Sequence, residues 1–169
     1  MNKFMCRRYL LFCVSLFVNA LGIAFITKAA LGTSPITSVT YVLSMFTPFT
    51  IGQWTILLNL LFVVLELFLM TREDLKSDLR MYLLQIPISF CFGMFIDLCM
   101  HYILFWLNPV EYVYMIVALL VGCVILAVGI ALEVKANAAM MAGEYFVKVI
   151  TRRFRGEFGY IKLGFDVTL

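Results

Sequence analysis

The stretch "ALGIAFITKAALGTSPITSVTYVLSMF" (residues 20–46) decides the fold. It opens inside a long apolar run that closes on Lys28. Gly32 permits a sharp change of direction, and Ser34 before Pro35 is a helix-start signature, a capping hydroxyl followed by proline in the first turn. The helix this starts, 35–46, stops before Pro48. At ~1.5 Å per residue it reaches roughly 18 Å, well short of the ~30 Å hydrocarbon core of a bilayer. A membrane helix that merely ended would need none of this punctuation.

Working outward, the 169 residues are 64% hydrophobic and 14% charged, with mean hydropathy +1.02. Soluble domains carry about a quarter charged residues, so this composition describes an integral membrane protein. The apolar runs are helical rather than alternating, which argues against a β-barrel. The fold class is all-α and polytopic. Spans are expected at 9–26, 51–70, 81–107 and 112–134, short helices at 35–46 and 138–150, and a further span starting at 157–169. Residues 71–80 read as a charged loop, 108–111 as a turn and 151–157 as a basic loop, with a kink at Pro87. The N-terminus imitates a secretory signal, but its apolar run continues past any small-residue cleavage site, so it reads as an uncleaved first span.

"AVGIALEVKA" (127–136) is a second copy of "ALGIAFITKA" (20–29), at a shift of 107 residues. The lysine, the break, the short helix and the restart recur together, which argues for two related halves. The first repeat is 1–107 and the second 108–169, and by symmetry roughly 40 further residues would complete the second copy. If both short helices return to the side they left, Lys3, Arg7, Arg8, Arg72, Lys76, Arg80, Lys135, Arg152, Arg153 and Arg155 share one side against Lys28 alone. The positive-inside rule favours that arrangement. It makes the N-terminus cytoplasmic and the repeats inverted.

These residues carry a resemblance. "GIAFITKAALGTSP", then "TIGQWTILLN", "FGMFIDL" and the second "GIALEVKA" resemble the YitT/YczE group of bacterial membrane proteins over about residues 8–169. The resemblance implies a multi-pass protein of the bacterial inner membrane. The second break, "NAAMMAGE" (137–144), departs from the pattern in having no proline, and Thr37 stands where the group's acid is expected, although the repeat partner Glu144 is acidic.

Three sets of candidate solute- or ion-binding residues emerge. At the two breaks, Lys28 with Ser34 and Lys135 lie beside helix N-termini whose unpaired N–H groups favour anions. The alternative is that both lysines snorkel to lipid headgroups. Asp97, with His101 one turn later, is an ionisable residue in an apolar run, read as a proton or cation site or as a structural cap at the end of its span. Glu144 can pair with Lys148 four residues on, and with its counterpart Thr37 can line a cavity. Asn19 and Asn59 sit near mid-span and either complete a polar centre or join helices. Glu66 is expected to face Arg72 or Arg80.

Several classes are excluded. The chain has no nucleophile elbow, no HExxH and no P-loop, so neither catalytic residues nor an enzyme is expected. A lone histidine and five scattered cysteines (Cys6, Cys13, Cys91, Cys99, Cys123) give no metal spacing, and no cofactor is implied. The net charge of +3 sits in connectors, as topology signals rather than a nucleic-acid face. The partners expected are the lipid bilayer and a small-molecule solute, with a second copy or a membrane partner protein also open. The leading expectation is a secondary transporter for a small, anionic solute. The alternative is a non-transporting accessory protein that organises a partner.

Overall fold

A computed structural model describes residues 3–70, 72–107, 109–136, 140–154 and 157–168, with the side chains of 3–6, 72–78 and 80 outside that description. The described residues form helices and connectors without strands. Long helices are α1 (Lys3–Lys28), α3 (Ile51–Leu69), α4 (Arg72–Leu98) and α5 (Tyr112–Ala136). Short ones are α2 (Pro35–Phe46), α6 (Ala142–Phe154) and α7 (Phe158–Thr168). A π-helical turn, Cys99–Ile103, continues α4. Four stretches, Arg7–Lys28, Ile51–Leu69, Met81–Ile103 and Tyr112–Ala136, are long and apolar enough to cross a membrane. The chain is therefore a multi-pass helical membrane protein.

Local chemistry sets the helix starts. Ser34 accepts the Thr37 N–H (3.4 Å) ahead of Pro35, which opens α2. Thr50 and Gln53 form a reciprocal capping box at the start of α3, with Gln53 N–H donating to Thr50 Oγ1 (3.1 Å) and Thr50 N–H to Gln53 Oε1 (3.0 Å). Between α1 and α2 the chain reverses through Ala30 at φ 55° and Gly32 at φ 155°. Nothing approaches the position of a Gly32 Cβ, so glycine serves there for its backbone freedom.

Several boundaries differ from the sequence reading: the first helix starts at Lys3 rather than 9, and the span expected to run to 107 ends at Ile103. Residues 72–80, expected as a charged loop, are the first turns of α4, because a run of Arg, Glu, Lys and Leu without Gly or Pro favours helix once an apolar stretch extends it. The second short helix runs Ala142–Phe154 rather than 138–150. Its C-terminal end takes in part of the expected basic loop, where Arg152 and Arg153 suit the negative end of the helix dipole. Residues 137–139 lie outside the described residues. Pro87 sits inside α4, which is continuous through it.

Glycines set the central packing. Residue 19 meets 129, 22 meets 126 and 26 meets 122, so α1 and α5 run antiparallel. A Cβ on Gly22 would stand 2.7 Å from the Leu126 nitrogen, and one on Gly122 would stand 2.9 Å from the Ile26 nitrogen. A Cβ on Gly129 would overlap Asn19 Oδ1. At one end of this pair, Arg8 Nε donates to the Ala136 carbonyl (3.0 Å). α3 and α4 are also antiparallel, with Gly52 against Gly93 and Tyr82 against Val63.

These contacts fix where the short helices lie. Trp106, Leu107, Pro109, Val110 and Glu111, between the π-turn and α5, line a groove with Phe25 near the end of α1. Asp97 near the end of α4 bonds Thr50 and Gly52 at the start of α3. The end of α1 and the start of α3 therefore share one end of the bundle. α2, between them, leaves and returns on that side. Its start lies deep: Ile36 packs on Gly143, and Gly143 on Phe62 midway along α3. Its finish lies back at the start of α3, where Trp54 Nε1 donates to Thr47 (2.7 Å). So residues 29–34 carry the chain inward and α2 carries it out again, over half the depth of the bundle.

Gly129→Val is expected to lower stability in detergent by about 1–3 kcal/mol through overpacking against Asn19. Gly164→Ala, with open space around it in α7, is expected to be neutral or stabilising by up to ~1 kcal/mol. Thermal unfolding of the two variants beside the parent checks both.

Candidate functional site

The starts of α2 and α6 meet in the middle of the bundle. Ile36 of α2 and Gly143 of α6 are in contact, beside Phe62. Phe62, Phe146 and Phe165 close one side, with Phe62 and Phe146 stacked at 5.3 Å and Phe165 against both. Each helix N-terminus carries about half a positive charge and unpaired N–H groups. Two such ends therefore face a common region. At α2, Ser34 and Thr37 share a hydrogen bond between their hydroxyls (2.7 Å), and Thr37 is buried. At α6, Glu144 occupies the first turn, where the dipole favours an acid.

Beside this meeting point lies a buried polar pair. Asn19 Nδ2 donates to Glu133 Oε2 (2.8 Å) across the α1–α5 crossing. Asn19 is 1% exposed and Glu133 7%. Glu133 Oε1 and Asn19 Oδ1 have no hydrogen-bond partner. Glu133 and Glu144 are close enough to repel, and Lys162 of α7 attracts Glu144. Lys162 also pairs with Asp166 (2.9 Å). The arrangement is thus two neighbouring acids, of which Glu133 alone is bonded to an amide donor, with a lysine at the edge. A carboxyl oxygen buried without a partner is costly, and a proton or a cation would complete it.

A second buried acid, Glu66, is 0% exposed in the last turns of α3. Gln85 of α4 stands beside it. The expected partners Arg72 and Arg80 have side chains outside the described residues. Asn59 is buried one turn before Phe62 on the same helix.

The sequence-derived candidates separate into two groups. Ser34, Thr37 and Glu144 come together where α2 and α6 start. Lys28 closes α1, half-buried, and Lys135 is exposed at the end of α5. Asp97 accepts from Thr50 Oγ1 (2.6 Å) and from the Gly52 N–H (2.9 Å). It therefore meets the N-terminus of α3 from the neighbouring helix, where an acid is favoured. His101 Nδ1 reaches the Asp97 backbone carbonyl (3.2 Å), not its carboxylate. Lys148, expected on Glu144, reaches Met140 Sδ (3.8 Å) and lies over the Tyr145 ring. Among the described residues, no three His, Cys, Asp or Glu side chains stand close enough to hold a metal ion.

Sequence reasoning missed Glu133. Its signal was present: Gly122, Gly129, Glu133 and Ala136 recur on one buried face of an otherwise apolar helix. An acid on the face that glycines open toward a neighbouring helix must be buried with it.

The fold and these sites define a multi-pass helical membrane protein with two half-length helices meeting beside buried acids. The family model for the family of unknown function DUF6198 matches residues 6–169, and the chain belongs to that family. No curated protein and no solved structure matches it.

Asp97→Ala removes two hydrogen bonds and the charge at the start of α3, so a loss of about 1–3 kcal/mol is expected. A melting temperature within a degree of the parent would show that the cap carries no weight.

Proposed function

We propose that this protein is a secondary transporter that moves a small anionic solute together with protons. One observation carries the reading: two half-helix N-termini meet in mid-bundle beside the buried Asn19–Glu133 pair. Broken helices that aim their N-termini at an anionic group near the bilayer midplane recur in transporter folds. In this reading the α2 and α6 N-termini, with Ser34 and Thr37, hold the anion. Glu133 and Glu144 take up the proton, and each proton that accompanies an anion cancels its charge in transit. Lys162 offsets Glu144 once the proton has left.

Inverted repeats support the same reading. α6 begins at Ala142 and α7 at Phe158, each 107 residues after the starts of α2 and α3. The same shift exchanges the contact of Gly22 with Leu126 for that of Gly129 with Asn19, and maps Ile36 onto its own neighbour Gly143. Both relations are what a two-fold axis in the membrane plane requires. Arg7, Arg8 and Lys135 share one end of the helix pair against Lys28 at the other, which supports a cytoplasmic N-terminus in a bacterial inner membrane. The likeness to the YitT/YczE group agrees with that location.

Purified protein in liposomes loaded with a pH-sensitive dye tests the proposal. A panel of small carboxylate and phosphate solutes is added outside. The expected result is solute-dependent acidification for at least one solute, reduced at least about tenfold in Glu133→Gln, whose amide keeps the packing but carries no exchangeable acid proton. Solute-dependent proton entry that persists unchanged in Glu133→Gln overturns the assignment. Absence of such entry for every solute overturns proton coupling.

A further inference from the structure

Arg7, Arg8 and Leu11 near the start of α1 and Lys135 and Ala136 at the end of α5 line a cleft of about 280 Å³. Arg7 and Lys135 are the terminal regions of two candidate spans, Arg7–Lys28 and Tyr112–Ala136. The cleft therefore sits where hydrocarbon gives way to headgroups, not in the bundle centre where α2 and α6 meet. Its chemistry is one-sided, with three basic side chains and one apolar wall from Leu11. Arg8 Nε is held on the Ala136 carbonyl (3.0 Å), which fixes one guanidinium as part of the wall and satisfies a terminal helix carbonyl. Arg7 and Lys135 are exposed beside it. A basic concavity between helix ends, with an apolar side continuous with the lipid-facing surface, suits a phosphate attached to acyl chains better than a free ion. Val134, 73% exposed next to Lys135, and Leu10, 65% exposed next to Leu11, extend that apolar surface toward the bilayer.

We infer that this cleft is a binding site for the phosphodiester of an anionic phospholipid. Arg7 and Lys135 neutralise the phosphate, Arg8 positions the end of α5 against α1, and the acyl chains run down past Leu10 and Val134. Bound lipid would thereby clamp the two helices whose crossing contains Asn19 and Glu133. The inference does not rest on transport, since a non-transporting protein with this cleft would bind the same headgroup.

Native mass spectrometry of the full chain in a neutral detergent, titrated with phosphatidylglycerol or phosphatidylcholine, tests it. Each cation near a lipid headgroup is worth ~1 kcal/mol, about fivefold in affinity. Phosphatidylglycerol is expected to be retained more tightly than phosphatidylcholine. The double variant Arg7→Gln/Lys135→Gln is expected to weaken phosphatidylglycerol retention by about 25-fold and to weaken retention of the zwitterionic phosphatidylcholine by less. Equal retention of the two lipids by the parent chain overturns the inference without any variant having to fold. So does undiminished phosphatidylglycerol retention by the double variant. In a third arm, inorganic phosphate is added as competitor. Displacement of the lipid at equimolar phosphate would assign the cleft to a soluble anion instead.

Discussion

The close antiparallel crossing of α1 and α5 is the constraint on which the rest of the structure depends. Gly22, Gly122 and Gly129 let the two backbones approach until side chains on one helix meet main chain on the other. In a bilayer, apolar side chains gain little by leaving lipid for each other, so small residues and interhelical hydrogen bonds decide which helices associate. Here both devices act at one place. The Asn19–Glu133 bond lies in the seam the glycines open. It is also the reason a carboxyl can be buried there at all, because the amide meets one of its oxygens.

From that crossing the placement of the other helices follows. With α5 antiparallel to α1, its C-terminal end lies beside Arg8, and the connector that precedes it lies beside Phe25. α4 must then finish near the end of α1, and the Asp97 cap brings the start of α3 to the same place. The chain between α1 and α3 has no crossing left to make. It turns inward at Ala30 and Gly32, restarts at Ser34–Pro35 and climbs out as α2. The start of α6 meets it from the other half, with Phe62, Phe146 and Phe165 sealing the side. Broken helices are tolerated at depth where protein encloses their ends; Ala142 and Gly143 at the start of α6 are buried, as is Thr37 in the first turn of α2, whereas Ala30, Leu31, Gly32 and Pro35 are exposed.

Much of this was legible in the sequence for identifiable reasons. A proline preceded by serine, a twelve-residue helix and a recurrence of lysine, break and restart are local signals, and α2 runs from Pro35 to Phe46 as they indicate. The Thr50–Gln53 capping box at the start of α3 is equally local chemistry. What could not be read was tertiary. Asp97 and Asn19 are both polar residues within apolar helices, and nothing in the sequence distinguishes a cap on a neighbouring helix from a member of a buried pair. Glu133 was hidden because it stands two residues from Lys135 at a helix end, where acids and bases are commonplace. Only the glycine seam turns its side inward. The helix over 72–80 was missed because charge suggests a loop, whereas helix propensity there acts with the apolar run beyond it.

The account stands or falls on the claim that α2 returns the chain to the side from which it came. In a variant with the native cysteines replaced, single cysteines at Arg7 and at Phe49 can be probed in oriented vesicles with a membrane-impermeant thiol reagent. If α2 is a half-helix, Phe49→Cys and Arg7→Cys react from opposite faces of the membrane. Reaction of both from the same face would mean that residues 29–49 cross completely, and would contradict the arrangement of the bundle described above.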